Sequence, residues 1–219
     1  ISVIKDGEII FSKVVPWNPV DIKEAKGHID AIEKAAREIT TEKNIDIKEL
    51  FAIGVSWSGK VVDGKPAARI GTIDGGLSQE EFNKLSNMSE ELFSRLGIFT
   101  YVSNDGYSQG FGAAVHFGKK NSITFGMGGG LSFAYSDENA NLPDILKEAG
   151  NMVIDRVKDA AKHTFTGMPG AIQVYLSQHA VVRLAAKSGI DLSAITVDYD
   201  KAAEVGKLLD QRDPRAVAV

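Results

Sequence analysis

The sequence contains no cysteine. That absence excludes disulfides, thiolate nucleophiles and every cysteine-based zinc site, and it is consistent with a reducing cytoplasm. Histidine is scarce: His28, His116, His163 and His179 are the four in 219 residues, and none is spaced with another as a helical metal-binding pair. No apolar run approaches the ~20 residues that span a bilayer, and no basic-then-apolar leader opens the chain. The net charge is −4 with no compensating cluster of Lys or Arg, so the electrostatic footprint of direct nucleic-acid binding is missing. There is no internal repeat and no low-complexity tract.

What is present is ordinary globular material, 43% hydrophobic and 25% charged, enough for one large domain or two small ones. "ISVIKDGEIIFSKVV" reads as a strand, a Lys-Asp-Gly turn and a second strand. Ile22, Ile29, Ile32 and Ala36 fall near helical spacing within 20–44, and "LFAIGVSW" (50–57) is a buried-type strand followed by an irregular Gly-rich excursion. Ser78 and Glu81 form a capping-box pattern for a helix over 78–97, closed by Gly97. A strand over 98–103, a small-residue helix over 106–120 and strands over 121–125 and 131–136 come next. From about Leu142 the pattern predicts helices over "DILKEAGNMVIDRVKDAAKHTF", "AIQVYLSQHAVVRLAAKSG" and "DYDKAAEVGKLLDQR", the first two broken by "TGMPG" (166–170). Strands interleaved with helices give an α/β class, and the hairpins at each end of the series make the sheet mixed. The best boundary lies near 117–121, giving lobes 1–117 and 118–219. The chain opens directly in a strand and stops just as a helix starts after Pro214, so both ends are expected to continue beyond it.

Three segments carry candidate chemistry: "GVSWSGKVVDGK" (54–65), "SNDG" (103–106) and "FGMGGGLSF" (125–133). In "YVSNDGYSQGFGAAV" (101–115), Asp105 follows a strand and precedes a helix. It fits a helix N-cap worth ~1 kcal/mol, or a general base mounted at a strand end. In "FGMGGGLSF" (125–133) the glycines join two strands, so they form neither a Walker loop nor a Rossmann fingerprint. They fit a wide turn with glycines at positive φ, or a bare backbone whose N–H groups hold phosphate oxygens. Trp17 and Trp57 fit core or edge positions better than stacking platforms, and Lys119-Lys120 fits a helix end.

The order strand, Asn-Asp, small-residue helix, strand, glycine hairpin resembles the ROK family of bacterial sugar kinases and sugar-responsive repressors, within the actin-like, hexokinase-like ATPase superfamily. "FAIGVSWSGKVVDGK" (51–65) is similar to that family's Ile-Gly-Val-Pro-Gly-Pro-Val-Asp run. "LGIFTYVSNDGYSQGFGAAVHFG" (96–118) is similar to its Asn-Asp and helix, and "NSITFGMGGGLSFAY" (121–135) to its phosphate-contacting hairpin. "LKEAGNMVID" (146–155) stands where the family has Gly-Glu-x-Gly-His, and "TGMPGAIQVYLSQHAVVRLAAK" (166–187) where it has zinc-binding cysteines and a Leu-Glu-x-Tyr-x-Ser helix.

The resemblance implies a ribonuclease H-like, actin-like ATPase fold in two lobes. The family's first phosphate loop and its adenosine-binding C-terminal segment would lie outside this chain. It implies a cytoplasmic, glucokinase-like phosphotransferase using ATP with nucleotide-borne Mg²⁺. In that scheme Asp105 is the general base, Asn104, Asn151 and Gly59 contact the sugar, and Gly126, Gly128 and Gly129 approach the phosphates. Dimerisation through the 171–188 helix is a family habit, although a monomer core explains that helix's apolar faces equally well. The departures are specific. Asn151 replaces the family's Glu, Ile154 its zinc-ligand His and Met127 its hairpin Thr, and all the zinc cysteines are gone, so no zinc is expected. The expected function is therefore a hexose or amino-sugar kinase. The alternative is a catalytically degenerate sugar-sensing domain of a ROK-type regulator.

Overall fold

The computed structural model describes residues 1–69, 74–118, 120–139, 141–142, 149–163 and 166–219. They form two compact units, Ile1–Asp105 and Gly106–Val219.

In the first unit, β1 (Ser2–Lys5) and β2 (Glu8–Ser12) make an antiparallel hairpin. Asp6 and Gly7, at φ 52° and 83°, form its turn; two left-handed residues match the twist of the flanking strands. α1 (Ala25–Glu42) buries Ala25, His28, Ile29, Ala36 and Ile39 along one stripe. β3 (Ile53–Trp57) pairs in parallel with β6 (Thr100–Asn104), Trp57 opposite Asn104. A parallel pair needs a long crossover, and here it carries a short hairpin, β4 (Val61–Val62) with β5 (Lys65–Pro66), then α2 (Gln79–Leu85) and α3 (Met88–Leu96). Ser78 caps α2 by accepting the Glu81 N–H at 3.1 Å, and Gly97 ends α3 at φ 70°. Phe82, Leu85, Met88 and Leu92 fill the core beneath β3 and β6 with Trp57 and Val102. Each such side chain contributes ~1.5–3 kcal/mol by burial.

The continuous helix expected over 78–97 is two helices. The Ser86 hydroxyl donates to the Pro66 carbonyl at 2.8 Å, and the break after Leu85 lets both Leu85 and Met88 bury completely.

The second unit begins on α4 (Asp105–Phe117), whose first residue belongs to the first unit. β7 (Ser122–Met127) and β8 (Leu131–Ser136) form an antiparallel hairpin. Gly110 allows α4 to lie against β8, since a Cβ there would stand 2.2 Å from the Ala134 Cβ. α5 (Gln178–Lys187), α6 (Asp198–Asp210) and α7 (Pro214–Val217) close around Ala185, Ile190, Leu192, Val205 and Ala216. The apolar face of α5 is thus used inside its own unit. Pro214 starts α7 where its missing N–H is harmless.

Three expectations are corrected here. The helix expected over 144–165 is absent from 149–163: a 3₁₀ turn over Ala149–Asn151 leads into irregular chain. Non-local backbone bonds replace the helical ones, with Ile154 N–H donating to Gly170 O, Ile172 N–H to Met152 O and Gly170 N–H to Ala161 O. The remainder of that expected helix, and Lys119, lie outside the described residues. The next helix begins at Gln178 rather than Ala171, because Ser177 caps it and a 3₁₀ turn occupies Ile172–Val174. Finally, the strands among the described residues form four two-stranded ladders, one parallel and three antiparallel, rather than one mixed sheet.

Candidate functional site

The first unit brings together Asn104, Asp105 and Gly59. Asn104 ends β6 and is 2% exposed. Its Nδ2 donates to Gly59 O at 2.8 Å and to Asp105 Oδ1 at 3.0 Å. Parallel pairing of β3 with β6 makes this possible, because it sets the chain leaving Trp57 beside Asn104 across 45 residues of sequence. Gly59 adopts φ 94°, a conformation that L side chains rarely enter, so the carbonyl facing Asn104 depends on glycine. Asp105 is the first residue of α4, one place inside the expected N-cap, where a carboxylate favours the helix dipole. A buried amide therefore orients a carboxylate at the carboxyl end of a parallel strand pair.

The second unit brings together the glycine hairpin and Asn151. Gly126 lies in β7, and the turn closes with Gly128 N–H donating to Gly130 O at 2.9 Å. None of these glycines has a positive φ, which corrects the expectation of a left-handed glycine turn. A Cβ on Gly128 or Gly129 would meet nothing within 4 Å. Their lack of a side chain is thus unexplained by backbone geometry or packing, and it leaves the turn's backbone open to an anion. The Gly128 carbonyl accepts the Gln178 N–H at 2.9 Å, placing the turn at the N-terminus of α5. Met127, at the tip, is 67% exposed.

Asn151 ends the 3₁₀ turn that abuts β8, where a Cβ on Gly150 would stand 2.5 Å from Leu131 O. Its Oδ1 accepts from Gln173 Nε2 at 3.2 Å. Gln173 Oε1 also lies 3.0 Å from where a Cβ on Gly130 would be. Gln173 is the site residue that sequence reasoning missed: its link to Asn151 spans 22 residues and depends on the Val153–Ala171 bridge.

The loop that would hold the family's zinc does not fit that metal. The chain has no cysteine, and the described residues contain no group of three His, Cys, Asp or Glu able to hold an ion. Hydrogen bonds close the loop instead. His163 N–H donates to Met168 O and Gly167 N–H to His163 O. The Tyr175 hydroxyl donates to Asp155 Oδ2 at 2.5 Å and accepts the Ala161 N–H at 3.2 Å. That hydroxyl holds the Asp155 carboxyl below the usual range, and Asp155 in turn pushes the Tyr175 phenol up. Among the described residues no helix is long and apolar enough to cross a membrane.

No family model and no curated protein matches the chain. Solved structures do. A ROK family glucokinase from Streptomyces griseus, in complex with glucose and AMPPNP, is similar at TM-score 0.72 and 23% identity over 99% of this chain and 69% of its own. A ROK hexokinase from Thermus thermophilus is similar at TM-score 0.58 and 17% identity, covering 97% of this chain and 65% of its own. A ROK family transcriptional regulator, a homologue of the E. coli MLC protein, is similar at TM-score 0.62 and 14% identity, covering 87% and 48%. Over the stretch compared, the chain has the α/β fold of the ROK-family kinases and regulators.

Proposed function

We propose that this chain is part of a ROK-family sugar kinase that transfers the γ-phosphoryl group of ATP to a hexose or amino-sugar hydroxyl. The observation that carries this reading is the buried Asn104 amide holding the Asp105 carboxylate at the end of β6. In the reaction, Asp105 takes the proton of a sugar hydroxyl as that oxygen bonds to the γ-phosphorus. The bond from phosphorus to the β,γ-bridging oxygen breaks, and ADP leaves with the electron pair. Such a transfer relies on positioning and charge stabilisation more than on covalent chemistry. Asn104, Gly59 and Asn151 supply sugar contacts. Gly126, Gly128 and Gly129 let the phosphates approach the hairpin backbone closely, and the magnesium ion arrives on the nucleotide. The lobes of this reading are 1–117 and 118–219, and its setting is the cytoplasm.

A second reading, a sugar-sensing domain of a ROK-type regulator, draws on Met127 and Asn151. An exposed thioether at the hairpin tip offers phosphate no hydroxyl, and an amide replaces a carboxylate at the sugar contact. Thermal shift and coupled ATP consumption on a hexose and amino-sugar panel, using the longest natural form of the protein, separate the two. The kinase reading expects sugar-dependent ADP release with Mg-ATP. Stabilisation by a sugar with no ADP release supports the sensor, and no response to any sugar overturns both.

A further inference from the structure

His28 is fully buried on α1, and neither ring nitrogen has a hydrogen-bond partner among the described residues. A neutral imidazole carries one donor and one acceptor, so the first unit keeps both unsatisfied where an apolar side chain would be better tolerated. The ring is enclosed by Trp17 and Trp57, each with its centroid 5.7 Å away and close to edge-on. Trp57 is the last residue of β3 and pairs with Asn104; two residues later, the Gly59 carbonyl accepts from Asn104. His28 therefore sits directly behind the strand end that organises the candidate sugar site.

The charges around it are few. The Asp74 carboxylate, fully buried and with interactions of its own, is the charged group that acts on His28. β3 brings none. On α2, Glu81 is committed to the Ala25 N–H and Lys84. Before α1, Asp21 is held by Asn18 and Lys23 by the Val20 carbonyl, and on α1 itself Lys26 pairs with Asp30. Burial pushes the imidazole below its ordinary 6.5, and Asp74 opposes this in part.

We propose that His28 is an acid-sensitive switch, whose protonation opens the Trp17–His28–Trp57 cluster and releases the strand end that holds Asn104. A second N–H and a full charge enter a site walled by two indole rings, where neither ring nitrogen has a hydrogen-bond partner among the described residues and the Asp74 carboxylate offsets the burial only in part. The sign follows from the lowered value: the fold favours neutral His28, so full stability is present above 6.5. It is lost as pH falls from there toward the folded-state value.

The test is direct because Trp17 and Trp57 are the two tryptophans of the chain. Intrinsic fluorescence and urea unfolding are followed from about pH 8 to about pH 5, the range in which histidine titrates, for the wild type, His28→Phe and His28→Gln. The wild-type unfolding constant is flat relative to His28→Phe above 6.5 and, as pH falls below 6.5, rises toward about tenfold per pH unit, the slope for one proton, with a fluorescence change of midpoint below 6.5. Matching titrations in the wild type and His28→Phe overturn the proposal. Should both variants misfold, NMR of ring-¹⁵N histidine in the wild type decides, because His28 titrating at or above 6.5 in the folded state also overturns it. The link to Asn104 rests on the sugar-site reading. Sugar affinity in the wild type falls in the same acid window but stays flat in His28→Phe. Absence of sugar binding at every pH refutes the site reading while leaving the fluorescence result to judge the switch.

Discussion

Replacing Gly128 or Gly129 with alanine separates a structural glycine turn from a phosphate cradle. Both residues lie outside the left-handed region, and a Cβ on either meets no atom within 4 Å. Alanine at a compatible φ restricts the unfolded chain, so each variant is expected to gain ~0.4–1 kcal/mol of stability. Nucleotide binding moves the other way. A methyl group between the turn's N–H groups and a phosphate oxygen removes a charge-assisted hydrogen bond worth ~1.5–3 kcal/mol, a loss of about 10- to 150-fold in affinity. Gly126→Ala and Gly170→Ala are the controls. A Cβ at Gly126 would stand 1.8 Å from Gln109 Oε1 and 2.3 Å from Ser132 Oγ. One at Gly170, where φ is 75°, would stand 1.7 Å from the Asp155 carbonyl oxygen. The first displaces the Gln109–Ser132 hydrogen bond, and the second meets backbone that cannot step aside. Urea unfolding should rank Gly170→Ala as the most damaging, with Gly128→Ala and Gly129→Ala at or above wild type, while titration with Mg-AMPPNP reads affinity. Destabilisation by Gly128→Ala of more than about 1 kcal/mol, or an unchanged nucleotide affinity, refutes the reasoning.

Other outcomes follow from single contacts. Gly110→Ala presses a methyl to 2.2 Å from the Ala134 Cβ, so overpacking of ~1–3 kcal/mol outweighs the gain in helix propensity of ~1 kcal/mol. Adding Ala134→Gly should restore much of the loss in a double-mutant cycle by urea unfolding. Gly59→Ala forces a Cβ into φ 94°, lowering stability by ~1–2 kcal/mol and weakening any sugar binding that depends on Asn104, read by calorimetry. Arg215, through its side chain and backbone N–H, holds the Asp213 carboxyl down at about 2 from an ordinary 3.8. Its contribution is therefore present above 3.8 and lost as pH falls from there toward about 2. Asp213→Asn should flatten that part of the acid-unfolding curve monitored by circular dichroism.

Much of the first unit was legible because its signals are local. Ser78 with Glu81 announced the start of α2, Gly97 the end of α3, and "LSFAYS" is β8 residue for residue. The break at Ser86 was not legible, since it depends on a hydroxyl reaching Pro66 O twenty residues away. The stretch around Met152, Val153, Ile154 and Val157 misled for a related reason. Its apolar residues suit a helix, but all four are exposed, and the backbone there bonds to the chain around Gly170. Asn104 and Asp105 could be singled out from their order along the chain. That the Asn104 amide grips Gly59 O needed the parallel register of β3 and β6, and Gln173 needed the Val153–Ala171 bridge.

The central claim is that Asp105 is the base of a phosphoryl transfer to sugar. It is tested most directly by measuring sugar-dependent ADP release in the longest natural form of the protein, wild type beside Asp105→Ala, with unfolding curves to confirm an intact fold. A positioned general base contributes ~10²–10⁴-fold to turnover. The variant should therefore lose that factor in kcat and retain sugar affinity within about threefold, since a group acting only in the transition state leaves ground-state binding in place. Undiminished phosphorylation by a folded Asp105→Ala protein would contradict the account.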